Sequence, residues 1–539
     1  MWNLIGSGKL QWNNIFRHNG PMFPSEYKKH NIPIKFKDQE VILPLLAEEY
    51  ATMFAKYINT PYNENSKFRK NFFIDFKKVL PNELSNSNID DFDFTLINNH
   101  INKINEINKT KTKEEKQRGK EFREEMEKPY KYILIDNINQ KVGNYKIEPP
   151  GIFLGRGNHP KIGRIKKRIF PKDITLNLDK DADIPKINLS GEHRWKEIIH
   201  DKTVVWLATW KDNILGKNKY IFTSMDSIFK SKSDEDKFNL ARKLKKKINM
   251  IRNSYTLDLT NENDKKKQLA TSLYFIDNLA LRVGGKKDSK EEADTVGVTS
   301  LRVEHLTLIP PNIIKLDFLG KDSIRYCKKI SVVKPIYDNL MLFTTEKNKK
   351  EQLFDLITPS TLNEYLEYFM QGLTAKVFRT YNASYAFQKE LDKVNEDKIK
   401  KYHENDRINY LLSMFNQANA TVAVICNHQK NVSSNSSEQI NKINEKIKLL
   451  KKKKKKYQEK KKKDFVTKIE SKIKLEKIKK ENKSMMKNIS LGTSKTNYID
   501  PRIIFAFIKK YKIPPEKLFT KILLERFEWA SNVDDNFRF

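Results

Sequence analysis

Cysteine is nearly absent from this chain: among 539 residues only Cys327 and Cys426 occur. Two thiols cannot staple a disulfide framework or fill a four-thiolate zinc site, which points to a reducing compartment. Long apolar runs are missing as well, with no stretch of about 18 such residues, so no membrane span is expected. The opening Met1-Trp-Asn-Leu-Ile-Gly6 passes into Gly, Ser and Lys before an apolar region forms, and no secretory signal is expected. There is no C-x-x-C pair, no H-E-x-x-H and no G-x-x-x-x-G-K-[ST], which sets aside zinc hydrolysis and Walker-type NTP hydrolysis. Asp179, Asp181 and Asp183 alternate as in a calcium loop, but Ile184 stands at the turn-glycine position and Ser190 at the bidentate-glutamate position. Calcium binding is not expected, and no metal site is assigned. Internal repeats are lacking too.

What is present is positive charge. Lys and Arg number 104 against 68 Asp and Glu, a formal +36. With 38% hydrophobic and 11% aromatic residues the chain is no disordered basic tail. Its length allows roughly three to five domains, and such a surplus calls for a polyanion, of which nucleic acid is the default. A third of the surplus sits in 451–480, where 16 lysines face four acids, and 430–487 carries a net +15. Ile440, Ile443, Ile447 and Leu450, then Val466, Ile469 and Ile473, recur at helical spacing. Two antiparallel helices with a lysine-rich turn, projecting from the body, are expected. A solvated basic linker or nuclear-import signal is the plainer reading of the lysine run, and both can hold together.

Elsewhere the spacing predicts a helix near 47–58, a polar helix over 111–128 and a strand at Tyr132–Ile135. The loop 147–160 is punctuated by Gly and Pro and runs into Lys161, Arg164, Lys166, Lys167 and Arg168, which suggests phosphate contact beside Gly155 and Gly157. Leu273, Ile276, Ala280 and Val283 predict a helix that ends presenting Arg282, with Gly284-Gly285 as its C-cap. Ile314, Leu316 and Phe318, then Ile324 and Tyr326, predict a hairpin with Lys321 near its tip. A helix entered from 372 carries Lys376 and Arg379. Leu411, Phe415, Ala418, Val422 and Ile425 predict another, delivering His428 one turn past its apolar stripe. Tyr498 precedes Asp500-Pro501, a strong N-cap and N1 pair. Taken singly, each of these has a plainer reading as packing, cap or surface charge.

Their order and surrounding words resemble the eukaryotic type IB DNA topoisomerases. The likeness is carried by Phe68-Arg-Lys-Asn-Phe-Phe73, Lys146-Ile-Glu-Pro-Pro-Gly-Ile-Phe153, Gly155-Arg-Gly-Asn-His-Pro160, Leu279-Ala-Leu-Arg-Val-Gly284, Ala293-Asp-Thr-Val-Gly297, Ser300-Leu-Arg-Val-Glu-His305, Asp317-Phe-Leu-Gly-Lys-Asp-Ser-Ile-Arg-Tyr326, 372–384, Cys426-Asn-His-Gln429 and Leu491-Gly-Thr-Ser-Lys-Thr-Asn-Tyr-Ile-Asp-Pro-Arg502. It runs from about Gly20 to the C-terminus, without the family's long charged N-terminal tail. Leu154 stands where relatives commonly carry Arg.

The resemblance implies a multidomain α/β clamp: a mixed α+β cap lobe, a mainly α-helical catalytic lobe with a β-hairpin, an antiparallel coiled-coil linker and a small helical C-terminal domain. The implied boundaries are 1–35 and 113–225 for core subdomain I, 36–112 for II, 226–429 for III, 430–487 for the linker and 488–539 for the C-terminal domain. The implied catalytic set is Arg282, Lys321, Arg379, His428 and the nucleophile Tyr498. DNA contacts are implied for Arg156, His159, Lys161, Arg164, Lys376, Asn427, Thr493 and Lys495, and camptothecin-class inhibitor contacts for Arg156, Asp322, Asn497 and Phe153. A monomeric nuclear enzyme is implied, acting on double-stranded DNA through a 3′-phosphotyrosyl bond, with no cofactor. Tyrosine needs a cationic site to favour its phenolate near neutral pH, two guanidinium forks suit a phosphorane-like transition state, and a hairpin lysine can protonate the leaving oxygen. A tyrosine recombinase shares the order Arg, Lys, Lys-x-x-Arg, His, Tyr and is the nearest rival. A non-enzymatic basic chromatin- or RNA-binding protein is the second.

Overall fold

The computed structural model describes residues 10–429 and 436–539; the N-terminal stretch 1–9 and the start of the linker, 430–435, lie outside the described residues. It is a mixed α/β multidomain protein of many helices and small sheets, divided into two compact units. No described helix is long and apolar enough to cross a membrane.

The first unit runs to Lys230 and includes Lys287–Asp294. Three strands, Phe16–His18, Tyr132–Ile135 and Ile138–Lys141, form one of its sheets. Asp136 and Asn137 (φ 44° and 68°) close the hairpin, as a two-residue loop requires. The Asp136 carboxylate also accepts the backbone N–H groups of Asn13, Asn14 and Ile15. A second sheet has the order Glu197–Ile199, Thr175–Asn177, Trp206–Lys211, Asn218–Phe222. A third part packs helices Leu45–Ala55, Ser66–Phe76 and Thr95–Thr110 over a short sheet, around Phe54, Phe68, Phe72, Phe76, Phe92 and Phe94. Stacking of Phe54 on Phe72 at 4.3 Å fixes the angle between two of those helices.

The second unit comprises Ser231–Lys286 and Thr295–Phe539. Its central helix, Ala375–Leu391, is buried on almost every side, from Ala375 and Val377 to Phe387 and Leu391. Around it pack helices Asp264–Asn278, Glu404–Ile425 and Pro501–Lys510, with strands Leu306–Ile309, Ile313–Leu319 and Arg325–Ser331 forming an antiparallel sheet. Inward Ile314, Leu316, Phe318 and Tyr326 alternate as their spacing predicts.

Two expectations are corrected here. The helix expected to reach Val283 stops at Asn278, because tertiary partners take the carbonyls of its last turn. Asn382 donates to Asp277 O at 2.6 Å and Arg379 to Ala280 O, while Ala280 itself turns left-handed (φ 50°). Gly284 is therefore no C-cap. It lies backbone to backbone with Gly297, where a Cβ on either would stand 2.5 Å from the other's Cα.

The lysine-rich helices, Ser436–Glu459 and Lys463–Met485, run in opposite directions, since Lys446 pairs with Glu476, Lys454 with Glu470 and Tyr457 stacks on Phe465. They do not simply project from the body. The second is seated along Glu404–Ile425: Leu475 joins the main core, Asn482 donates to Ser413 O at 3.0 Å and Ser471 to Asp406.

Candidate active site

Each candidate side chain is delivered by a distinct backbone device. Arg282 lies in an irregular segment laced to the 3₁₀ turn Val298–Ser300: its carbonyl accepts Val298 N–H at 2.9 Å and that of Val283 accepts Thr299 N–H at 2.8 Å. Behind it, buried Asp277 receives both Nε and Nη2 of Arg252 and the Tyr255 hydroxyl, anchoring the preceding helix. Arg379 projects from the central helix and is itself buried. Its Nη2 donates to Cys426 O at 3.0 Å, and its Nη1 to Ala280 O, so it joins two chain segments.

His428 follows a Schellman ending of helix Glu404–Ile425. The His428 N–H bonds Ala423 O at 2.8 Å and the Asn427 N–H bonds Val424 O at 3.1 Å, with Asn427 in the left-handed position (φ 52°). Tyr498 caps the short helix Leu491–Asn497, and the Ser384 hydroxyl, from the central helix, donates to Tyr498 O and accepts Asp500 N–H. Asp500 and Pro501 open the next helix as predicted. Lys321 is exposed on the turn between two strands, beside left-handed Asp322 and Ser323. Below it the Asp317 carboxylate takes both Nε and Nη2 of Arg325 at 2.7 Å.

These elements converge. The Tyr498 ring lies 5.3 Å from that of His428, with the Arg379 guanidinium 5.1 Å over its face. Beside them a cleft of about 180 Å³ is lined by Arg282, Lys321, Asp322, Arg379, Asn427, His428 and Thr493. Burial pushes the Tyr498 phenol up, but the charges and hydrogen bonds of Arg379 and Arg282 outweigh it and hold the phenol below its ordinary value. Burial, then the same two guanidiniums, push His428 down to about 3. The imidazole is thus neutral near pH 7, able to donate from one ring nitrogen and accept at the other. Arg379 Nε is buried with no hydrogen-bond partner among the described residues. The arrangement is a pocket of fixed donors beside an activated phenol, suited to an anionic tetrahedral group. Among the described residues no group of three or more His, Cys, Asp or Glu could hold a metal.

The remaining predicted contacts divide. Lys376 is exposed and Asn427 and Thr493 line the cleft, whereas Asn497 is exposed with its amide on Thr493 O. Lys495 turns away, its ammonium donating to Leu518 O at 2.5 Å. In the first unit Arg156 is exposed, and buried His159 lies edge-on to Phe153 with Nδ1 accepting Lys161 N–H. The expected phosphate-binding run is divided: Arg164 grips buried Asp75 through two hydrogen bonds and Arg168 pairs with buried Glu49, whereas Lys166 and Lys161 pair with exposed Glu148 and Glu291 and Lys167 is exposed. Asp75, Glu49 and Glu291 are distant in sequence, so a local count of cations could not see them. Sequence reasoning also missed Ser384 and Ser494, small polar residues whose only signal was their place inside the motif words 372–384 and 491–502.

The chain matches three families, described as the DNA binding fragment of eukaryotic DNA topoisomerase I over 10–223, its catalytic core over 226–461 and the C-terminal topoisomerase domain over 470–539. It is 42% identical to DNA topoisomerase 1 beta of Arabidopsis thaliana over 99% of this chain and 60% of that protein. It is 41% identical to DNA topoisomerase 1 of Caenorhabditis elegans over 98% of this chain and 67% of that one. With DNA topoisomerase 1 of Homo sapiens it shares 38% identity over 98% of this chain and 71% of the human protein. The chain thus spans about three fifths of the length of the Arabidopsis relative.

Proposed function

The chain belongs to the eukaryotic DNA topoisomerase I family, and on that premise we propose that it relaxes positive and negative supercoils as a type IB enzyme. The observation that carries the reading is the Tyr498 phenol, lowered by Arg379 and Arg282 and set against the tilted ring of His428 beside the cleft. Tyr498 Oη attacks a backbone phosphorus, its proton leaving to solvent, and the bond to the 5′ oxygen breaks. Arg282, Arg379 and His428 donate to the non-bridging oxygens in the transition state. Lys321, on its exposed turn, gives a proton to the departing 5′ oxygen as general acid. A 3′-phosphotyrosyl bond results, which keeps the phosphodiester energy, so resealing needs no ATP. Rotation of the free strand between the two steps relaxes the duplex.

The finer reading follows the family. Residues 1–35 with 113–225, and 36–112, form a cap that closes on 226–429 as a clamp, in a monomer. Residues 430–487 form a coiled-coil linker that slows rotation, and 488–539 carry the nucleophile. Arg156, Lys376, Asn427 and Thr493 contact DNA, whereas His159, Lys161, Arg164 and Lys495, engaged within the protein, support those contacts. Phe153, Arg156, Asp322 and Asn497 line the site of camptothecin-class inhibitors. A nuclear location fits a chromosomal substrate.

A cleavage reaction on end-labelled duplex, stopped with denaturant, tests the core of this. A protein-linked 3′ end is expected from the native chain and none from Tyr498→Phe. Persistence of the adduct in that variant overturns the nucleophile. Relaxation that required a defined site or synapsis of two duplexes would favour the recombinase reading instead.

A further inference from the structure

His428 is neutral near pH 7, so its role depends on which ring nitrogen carries the proton. Ser494 faces it, with Oγ 2.7 Å from Nδ1 and the serine wholly buried. Either the hydroxyl donates to Nδ1, or Nδ1–H donates to the hydroxyl. In the second case the hydroxyl proton would be buried without an acceptor, since Oγ makes no other hydrogen bond among the described residues. The first arrangement leaves Nε2 protonated. Arg379 Nη2 also points a proton at Nε2, but at 3.5 Å, so its claim on the ring's one acceptor nitrogen is weaker than that of the Ser494 hydroxyl at 2.7 Å.

Ser494 is tied to the nucleophile as well: its carbonyl accepts the N–H groups of Tyr498 at 2.9 Å and Ile499 at 3.0 Å. Ser490 N–H, one turn earlier, bonds His428 O at 2.8 Å. One helical turn thereby sets both the imidazole and the tyrosine.

We propose that Ser494 is a positioning residue that fixes His428 as the Nε2–H tautomer, so that the imidazole donates to a non-bridging oxygen of the scissile phosphate. This rests on the reading that the cleft takes a DNA phosphodiester. The full chain labelled with nitrogen-15 histidine, without DNA, reports the tautomer in a long-range proton–nitrogen correlation, with the His428 signals identified by their loss in His428→Gln. The native protein is expected to show Nε2 protonated and Nδ1 bare. Ser494→Ala should move the ring toward a mixture and slow single-turnover cleavage by about ten- to a hundredfold, as loss of an orienting partner does, with duplex affinity unchanged. Ser494→Cys, close in volume and a weak donor, should recover part of both. An Nδ1–H signal in the native protein, or native cleavage by Ser494→Ala, overturns the proposal. The spectrum needs no DNA, so the tautomer can fail while the Tyr498 adduct stands, and the adduct can fail while the tautomer stands.

Discussion

At the scale of single residues, charge type and placement separate. Arg379 reaches the carbonyls of Ala280 and Cys426 with one planar group and still presents its face to Tyr498. A lysine keeps the charge but cannot span both acceptors. Arg379→Lys should therefore lower single-turnover cleavage by about a hundredfold or more, while duplex affinity at low salt, followed by gel shift, stays unchanged. The buried histidines give a pH signature. His428 is pushed to about 3 and His18, by burial, to about 4. Each binds a proton more readily when unfolded, so its contribution to stability is full above about pH 6.5 and falls as pH drops. The loss is about 1.4 kcal/mol per pH unit per ring. Urea unfolding at pH 7 and 5.5 should show it, and His428→Gln should make the fall shallower. Motif words pick out Arg282, Lys321, Arg379, His428 and Tyr498, and the fold gathers the first four around one cleft with Tyr498 beside it. The neutrality of His428 was not legible in the sequence, because it depends on burial and on two guanidiniums from other elements.

At the scale of elements, periodicity served where one helix or strand face meets the core. Helices Ala375–Leu391 and Glu404–Ile425 and the strand pair around Lys321 follow their apolar spacing. It failed where partners override local preference, as at Asn278, where neighbouring side chains end a helix whose apolar spacing continues to Val283. The ending at Asn427 makes a discriminating test. A β-branched residue is strained at φ 52°, whereas glycine is not. Asn427→Val should cost about 1–2 kcal/mol and slow cleavage by misplacing His428, and Asn427→Gly should retain stability in a thermal melt. Gly297→Ala should be worse, above about 2 kcal/mol, because its Cβ meets Gly284 backbone that has no side chain to yield.

For the whole molecule, +36 pointed only to a polyanion, and the fold shows that the surplus is unevenly available. Arg164 and Arg168 hold the first unit together through Asp75 and Glu49, whereas Lys451–Lys456 lie on the linker helix. Replacing those six lysines with Gln should reduce the salt slope of duplex binding by at most about 5, with cleavage of bound DNA unchanged, as a salt titration would show. The seat of helix Lys463–Met485 has a mechanical side. Only its first eight or so residues, roughly 12 Å, precede Ser471, which with Leu475 and Asn482 fastens it to Glu404–Ile425. The hairpin is thus a short lever whose fulcrum lies between its lysine tip and Tyr498. A force applied at the tip meets the contacts with Asp406, Ser413 and the core before it reaches the segment that carries Tyr498.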